Sequence, residues 1–511
     1  MDKSQLDVLF INADSSLIAY QGLASKFSAI EPPTWSLLLA ESCRSKGFSV
    51  AILDCTAEGL SNQEAIDRIQ SLKPRLALFV VYGQNPNSGT TNMIGNTDCC
   101  KMLKTQYPEI ATGFVGSHTS ALPKEVLGLS FVDFILQNEG VYALQNLLRT
   151  NLKDSLNSVR GIGYKFQGKL TLTQPEIVVP QDRMDIDLPG YAWDLLPMKT
   201  KPFDLYRAHY WHAGYSEDNR SPFAAIYTSL GCMYKCDFCM INIINRVDNS
   251  DLVVASDSAK MRYWSTNFVI KQLEILRNYG ITRVRLSDEM FFLNQRYFEP
   301  LLNGIIEKKL DLHMWSYTRV DTVREKYLEL FRNAGIEWLG IGIEAGSREI
   351  RREVSKGTFH IEDISQVISL IKKYDINIGA NYIFGFPDDN LESMQKTLDL
   401  ALELKTEFAN FYPCQALPGS SLYRTAIEKG WELPDSYAGY AFLSYETKPL
   451  PTKYLTAAQV VEFRDIAWQT YFSHEPYLRL VEEKFGLQQR KNVEELSKIK
   501  LKRKILGDNI S

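Results

Sequence analysis

The feature that most constrains the fold is an alternation of short apolar runs with helical patterns. From residue 6 to about residue 150 the apolar runs are DVLFIN, SVAILD, LALFVV, ATGFVG and VDFILQ. Nearly continuous apolar runs of this length are typical of parallel strands that are covered on both faces. The segments between them, such as TWSLLLAESCRSKGF, carry helical spacing and end near a glycine. We therefore predict an open, doubly wound parallel sheet, which binds ligands beyond the carboxyl ends of its strands.

A second series of the same kind begins at FAAIYTSL. It continues through TRVRLSDE, LHMWSYTR, WLGIGIEAG, INIGANYIFG and FANFYPCQA. Helical segments lie between these runs. In one of them Val269, Leu273 and Leu276 share one face, and the helix is expected to end at Gly280. Six such units predict a partial (β/α) barrel rather than a complete barrel of eight. In such barrels the chemistry lies at the carboxyl ends of the strands.

The predicted fold class is α/β, with four parts along the chain. They are a doubly wound domain at 1–150, an irregular connector at 151–220, the partial barrel at 221–425 and a helical region at 426–511. A net charge of −4 gives no electrostatic reason to expect a nucleic-acid partner. The longest apolar runs are too short to span a membrane, and no signal-peptide pattern opens the chain. We therefore expect a cytoplasmic protein with free cysteines.

Three of the eight cysteines crowd into the segment SLGCMYKCDFCMIN, at Cys232, Cys236 and Cys239. A structural zinc site needs four ligands, usually two Cys-x-x-Cys or Cys/His pairs; no second pair of this kind is present, and the six histidines are isolated. A disulfide is not expected in the cytoplasm and would leave the third thiol alone. An iron–sulfur cluster fits better, because thiolates are its ligands and short spacing lets one loop surround it. A four-iron cluster on three cysteines would leave one iron open for a substrate or cofactor, and zinc remains the alternative.

This Cys-x3-Cys-x2-Cys pattern, placed after the first of six barrel strands, resembles the radical S-adenosylmethionine (SAM) superfamily. The resemblance covers about residues 200–425 and implies a [4Fe-4S] cluster on the three cysteines. It also implies a SAM site at successive strand ends. The residues concerned are Phe238, Ser287, Asp288, Glu289, Arg319, Glu344, Ile383 and Gly385.

The resemblance gives most of these positions a role. Phe238 would pack against adenine, the segment SDE would bind the amino group of SAM, and Arg319 would bind its carboxylate. Backbone around Ile383 and Gly385 would approach the adenine. Alternatively, Glu289 and Arg319 pair with each other across the barrel mouth.

The chemistry that the resemblance implies is radical chemistry. SAM would chelate the open iron and accept one electron, which gives methionine and a 5′-deoxyadenosyl radical that abstracts hydrogen from a small-molecule substrate. The electron would come from an external donor such as flavodoxin or ferredoxin.

A doubly wound domain ahead of such a barrel resembles the cobalamin (B12) binding subclass, which includes many methyltransferases and an anaerobic cyclase. The matching positions lie in the loops YGQNPNSGTTNM, GSHTSALP and QNEG. The implied cobalamin contacts are Gln84, Asn85, Ser88, Gly116, Ser117, His118, Ser120 and Gly140.

One departure from the B12 pattern concerns histidine. The Asp-x-His-x-x-Gly motif is absent, so we expect no histidine ligand on the lower face of cobalamin, and His118 is alternatively a loop histidine bonded to backbone. The resemblance implies a methyltransferase that acts on an unactivated carbon. The alternatives are a radical SAM dehydratase, epimerase or cyclase, or a non-catalytic iron–sulfur or corrinoid-binding protein.

Overall fold

The N-terminal sheet has seven strands in the order β2-β1-β3-β4-β5-β6-β7. The structure, a computed structural model, describes residues 5–354 and 360–509. The first five strands are β1 (Val8–Asn12), β2 (Val50–Asp54), β3 (Leu76–Val81), β4 (Ala111–Gly116) and β5 (Phe134–Leu136). They are all parallel, which confirms the predicted doubly wound sheet.

Helices cover both faces of this sheet. They are α1 (Ser16–Tyr20), α2 (Thr34–Arg44), α3 (Cys55–Glu58), α4 (Asn62–Leu72), α5 (Gly89–Gln106), α6 (Ser117–Ala121), α7 (Pro123–Gly128) and α8 (Val141–Arg149). Along β1, Val8 and Phe10 pack into one core while Leu9 and Ile11 pack into another, and all four are fully buried. Burial on both faces explains why these strands are continuous apolar runs.

The connector adds an antiparallel hairpin to the edge of the N-terminal sheet. Strands β6 (Ile162–Phe166) and β7 (Lys169–Leu172) pair beside β5, and a short helix α9 (Met184–Asp187) follows. Gln167 and Gly168 join the two strands, both with positive φ, as two-residue hairpin turns require. The sequence pattern did not reveal this hairpin because β7 is exposed or half-buried along its length.

The second sheet has six parallel strands in the order β15-β14-β13-β12-β11-β8, which confirms the partial barrel. The strands are β8 (Phe223–Ile226), β11 (Arg283–Leu286), β12 (His313–Arg319), β13 (Ile336–Glu344), β14 (Asn377–Phe384) and β15 (Phe408–Pro413). Between β8 and β11 an antiparallel ribbon forms from β9 (Ser229–Cys232) and β10 (Lys260–Tyr263). The barrel helices are α10 (Thr266–Asn278), α11 (Gln295–Glu307), α12 (Glu325–Asn333), α13 (Arg348–Glu353), α14 (Ile361–Lys373) and α15 (Leu391–Leu404).

The C-terminal region is helical and packs against the edge of the barrel. Its helices are α16 (Ser421–Lys429), α17 (Ala457–Phe472), α18 (Glu475–Phe485) and α19 (Leu487–Ser497). Helix α17 lies along β15, where the Arg464 Nε donates a hydrogen bond of 2.7 Å to the Phe411 carbonyl. None of the described helices combines the length and the apolar character that a membrane crossing needs.

Candidate active site at the junction of the two sheets

A cavity of about 640 Å³ lies between the carboxyl ends of the two parallel sheets. On the side of the N-terminal domain it is lined by residues 12–16 after β1, residues 82–85 after β3 and residues 28–36 before and within α2. On the side of the barrel it is lined by the cysteine loop and by residues from β12 to β15. Its size is in the usual range for small-molecule sites, which often form between domains.

The strand order explains where the cavity opens in the N-terminal domain. The chain goes from β1 to β2 on one side and returns to β3 on the other side of β1. The connections after β1 and β3 therefore run to opposite faces and leave a crevice between them, where such sheets bind ligands. The cavity occupies this crevice.

The cysteine loop begins where the ribbon strand β9 ends. Gly231 has a φ of +90°, and a Cβ at this position would lie 2.0 Å from the Lys260 carbonyl oxygen on β10. The side chain of Asn242 closes the loop, because it accepts a hydrogen bond from the Cys232 N–H and donates one to the Cys232 carbonyl. These contacts hold Cys232 at the edge of the cavity.

All three cysteine side chains of this loop line the same cavity. Burial raises the pKa of the Cys239 thiol well above its usual value, and the neighbouring Cys236 and Cys232 raise it further. Grouped thiols of this kind become thiolates when they coordinate a metal. The chemistry of the three sulfurs therefore fits a metal-containing group.

Zinc is the alternative for these cysteines. A structural zinc site needs four protein ligands, and within residues 5–354 and 360–509 no three His, Cys, Asp or Glu side chains converge closely enough to hold one metal ion. The described residues therefore give zinc no support.

Ser287, Asp288 and Glu289 directly follow β11 but point in different directions. Asp288 is buried and accepts hydrogen bonds from the Thr228 N–H and hydroxyl, both at 2.6 Å, and from the Ser229 hydroxyl. Ser287 is buried beside it, and only Glu289 of the three lines the cavity. Asp288 therefore fixes the chain that leads into the cysteine loop.

Glu289 carries an unfilled hydrogen-bonding position. Its Oε1 atom is buried and has no partner among the described residues. Burial raises the pKa of this carboxyl to about 8, while Arg285 opposes the rise and Asp288 adds to it. A buried carboxyl with one vacant oxygen fits the amino group of SAM, which is the group that the resemblance implies for the segment SDE.

Arg319 lies at the end of β12 beside the cysteine loop. Its Nη1 atom is 3.8 Å from the Cys236 sulfur, and its guanidinium lies 3.8 Å from the centre of the Tyr234 ring. It also donates two hydrogen bonds of 2.9 Å to Asp321, so the structure pairs it with this carboxylate.

The other predicted SAM positions divide between cavity and core. Phe238, Glu344 and Ile383 line the cavity, and Glu344 has a φ of +67°, a strained conformation that is concentrated at functional sites. Gly385 lies outside the cavity lining and packs closely, because a Cβ there would lie 2.5 Å from the Val460 side chain on α17.

The predicted cobalamin loops also divide. Gln84, Asn85 and Ser88 line the cavity. Gly116 lies where β4 crowds β3, because a Cβ there would be 2.2 Å from the Val81 carbonyl oxygen. Ser117, Ser120 and Gly140 lie with Gly116 outside the cavity lining.

Ser117 and Ser120 are both buried, and both form hydrogen bonds within the protein. The Ser117 hydroxyl donates to the Pro86 carbonyl at 2.6 Å. The Ser120 hydroxyl donates to the Gly116 carbonyl and accepts a bond from the Asn138 N–H. The two side chains therefore fasten the loops after β3, β4 and β5 to one another.

His118 lies in the same buried layer and is about 1% exposed. Its Nδ1 is 2.9 Å from the Thr90 hydroxyl, and its Nε2 is 3.3 Å from Glu125. The ring is paired with side chains and not with backbone, so the expected alternative was wrong about its partners. His118 does not line the cavity.

Two family models match the chain. Residues 226–401 match the radical SAM superfamily, and residues 20–148 match the B12 binding domain. The chain therefore contains a radical SAM domain that follows a B12 binding domain. Its matched regions cover the barrel with the cysteine loop and most of the doubly wound domain, as the resemblance in the sequence implies.

This radical SAM protein is similar over most of its length to characterised and uncharacterised relatives. An uncharacterized methyltransferase of Pyrococcus horikoshii is 25% identical over 86% of this chain and 88% of the relative. The anaerobic magnesium-protoporphyrin IX monomethyl ester cyclase of Rubrivivax gelatinosus is 23% identical over 83% and 70%. The radical SAM methyltransferase TsrM of Kitasatospora setae, solved with tryptophan and a SAM analogue, shares the fold at a TM-score of 0.66 and 16% identity, covering 96% of this chain and 98% of TsrM.

Sequence reasoning missed several cavity residues of this radical SAM protein. The segment NADSS at residues 12–16 follows β1, and the rule for doubly wound sheets, applied to the order of the strands, would have indicated it. In the barrel, Trp315, Tyr317 and Asn381 line the cavity from β12 and β14. Their alternate spacing along β12 was the available signal, since alternate residues of a barrel strand face its interior.

Proposed function

We propose that this protein is a cobalamin-dependent radical SAM methyltransferase that acts on an unactivated carbon of a small molecule. The observation that carries the proposal is a single cavity, shared by the three cysteines and by the crevice of the B12 binding domain. A shared cavity lets two cofactors reach one substrate. The relatives in Pyrococcus and Kitasatospora are both named as methyltransferases, which supports this assignment.

When bound, the cluster and SAM supply a radical that removes hydrogen from the substrate, and cobalamin supplies the methyl group. In our proposal the protein holds these partners in place. Glu289 binds the amino group of SAM, Arg319 binds its carboxylate, and Phe238 packs against its adenine. Gln84, Asn85 and Ser88 bind the corrinoid from the other side of the cavity.

The substrate would lie in the barrel interior. Gly379 on β14 borders open space, since a Cβ there would meet no atom within 4 Å. Trp211 and Trp315 pack edge to face 4.9 Å apart among the residues that line this interior. Such an aromatic floor would exclude water from a reactive radical. We propose an external flavodoxin or ferredoxin as the electron donor.

The test uses the full chain, reconstituted anaerobically with iron, sulfide and hydroxocobalamin. Incubation with methyl-labelled SAM, a reductant and a small-metabolite extract should put the label on a carbon of one product. S-adenosylhomocysteine and 5′-deoxyadenosine should both form. The matched control is the triple variant Cys232→Ala, Cys236→Ala, Cys239→Ala, which should form no 5′-deoxyadenosine.

Two results would count against the proposal. A triple variant that still forms 5′-deoxyadenosine would remove the cluster from its assigned cysteines. Turnover that forms 5′-deoxyadenosine but leaves the label in methionine alone would replace methyl transfer with a cyclase, dehydratase or epimerase reaction. The relative in Rubrivivax, which is named as a cyclase, makes the cyclase reaction the first to examine.

A further inference from the structure

Asn87 lies in the loop after β3 of the N-terminal domain but contacts the cysteine loop of the barrel. Its Oδ1 accepts a hydrogen bond of 3.0 Å from the Met240 N–H. Its Nδ2 lies 3.8 Å and its Oδ1 4.0 Å from the Cys239 sulfur. Because the Oδ1 is bonded to the Met240 N–H, and a thiolate cannot donate, the NH₂ group is the end that can bond to a metal-bound sulfur.

The loop that carries Asn87 is held from both sides. The Asn85 side chain accepts a hydrogen bond of 3.0 Å from the Asn87 N–H. The Ser117 hydroxyl, at the end of β4, donates to the Pro86 carbonyl between these two asparagines. Asn87 is therefore presented to Cys239 by a braced turn rather than by a free loop.

Each of the three cluster cysteines receives an N–H donor, and the donors differ in origin. The Tyr234 backbone N–H lies 3.4 Å from the Cys232 sulfur, and the Arg319 guanidinium lies 3.8 Å from the Cys236 sulfur. Both donors belong to the barrel, whereas the donor at Cys239 comes from the B12 binding domain.

Hydrogen bonds to the sulfurs help to set the reduction potential of an iron–sulfur cluster, because they stabilise its more negative, reduced form. We propose that Asn87 is a positioning residue for the cluster, which holds Cys239 and raises the reduction potential of the cluster from the neighbouring domain. This inference rests on the proposed function, since it needs the cluster on the three cysteines. It makes the domain that would bind the corrinoid part of the environment of the cluster.

The test measures the cluster and not turnover. The reconstituted full-length protein, without SAM or cobalamin, is titrated with a reductant while electron paramagnetic resonance follows the reduced cluster. Asn87→Leu keeps the size of the side chain but removes the donor, so the ratio of reduced to oxidised cluster at a fixed potential should fall about tenfold, which is ~59 mV for a one-electron couple. Asn87→Asp keeps an acceptor for Met240 but adds negative charge near Cys239, so its potential should fall at least as far. Asn151→Leu, the same change at an exposed position outside the cavity lining, should leave the potential unchanged.

The outcomes separate this inference from the proposed function. Asn87 variants that keep about four irons per chain and the wild-type potential would overturn the inference while leaving the cluster in place. Asn87 variants that fold but lose iron, while Asn151→Leu retains it, would support the role of Asn87 in holding Cys239. A wild-type protein that binds no cluster would instead remove the basis of the proposed function.

Discussion

Two loops at the same end of the N-terminal sheet use their polar groups in opposite ways. The loop after β3 lines the cavity with Gln84 and Asn85. In the loop after β5, polar side chains contact other parts of the protein. The Asn138 amide donates a hydrogen bond to the Arg246 carbonyl, and Glu139 forms an ion pair with Arg262. The Asn138 Nδ2 and the Glu139 carboxylate therefore have partners within the protein, while the Asn138 Oδ1 has none among the described residues.

The same contrast separates two adjacent residues of the barrel. Asp288 accepts hydrogen bonds from the backbone N–H and from the hydroxyl of Thr228. The Oε1 of Glu289, in contrast, lacks a partner in the described structure. The comparison teaches that a strand end marks a ligand site where a polar group with unfilled hydrogen-bonding capacity also lines the cavity, as Glu289 does and Asn138 does not. Where the group is bonded within the protein, as Asp288 is, it joins segments of the chain to one another.

The largest effect is expected when the buried ion pair between Glu139 and Arg262 is broken. Glu139→Ala leaves Arg262 buried without its partner, so we expect the free energy of unfolding to fall by about 3–5 kcal/mol in urea denaturation. Lys124→Ala breaks a second contact between the two domains, the ion pair with Asp251, in which both side chains are more than half exposed. This control should cost no more than about 1 kcal/mol.

The folded fraction of the Glu139→Ala protein should bind hydroxocobalamin as tightly as the wild type does. A variant that folds stably but has lost the corrinoid would show that the loop after β5 belongs to the site. The distinction between the two loops would then fail.

The next effect concerns the unfilled carboxyl of Glu289. Its raised pKa of about 8 means that the carboxyl is mostly protonated below that pH, and a protonated carboxyl cannot pair with an ammonium group. SAM affinity should therefore increase as pH rises from about 6 to 8. Glu289→Gln should weaken SAM binding about tenfold to a hundredfold and flatten this rise, as measured by equilibrium binding to the reconstituted protein. A wild-type affinity that does not change over this range would argue against Glu289 as the partner of the amino group.

Much of the fold could be predicted from the sequence, because strands that are buried on both faces of a parallel sheet consist of nearly continuous apolar residues. The six barrel strands and the position of Cys232 after the first of them were visible for this reason. The direction of each strand-end side chain was not visible. Asp288 and Glu289 are chemically alike and adjacent, and only the packing of Asp288 against Thr228 decides which of them faces the cavity.

The same limit applied to the cobalamin loops. Gln84 and Ser120 both lie in short polar segments after buried strands, so local composition cannot separate them. The order of the strands separates them, since the crevice opens between β1 and β3. That order depends on contacts between distant segments, which a pattern read along the chain does not contain.

A smaller effect compares Gln84 with Ser120 directly. Gln84→Ala removes a polar group that lines the cavity and should weaken hydroxocobalamin binding by about tenfold or less. Ser120→Ala should leave that affinity unchanged but destabilise the fold by about 1–3 kcal/mol, because the buried Asn138 N–H loses its acceptor. Spectroscopic titration and thermal unfolding measure the two quantities. The reverse pattern would exchange the roles of the two loops.

The smallest effect is expected at His118, where a change of residue should leave the cobalt unaffected. Both ring nitrogens of His118 are paired with Thr90 and Glu125, and the ring is almost fully buried outside the cavity lining. To reach a metal, the ring would have to leave both partners and its edge-to-face contact with Tyr437. Electron paramagnetic resonance of the Co(II) form should therefore show no nitrogen splitting from histidine, and His118→Ala should leave the spectrum unchanged. Nitrogen splitting that disappears in this variant would show that His118 contacts the cobalt and is not simply a buried structural residue. The lower face of the corrinoid would then lie toward β4.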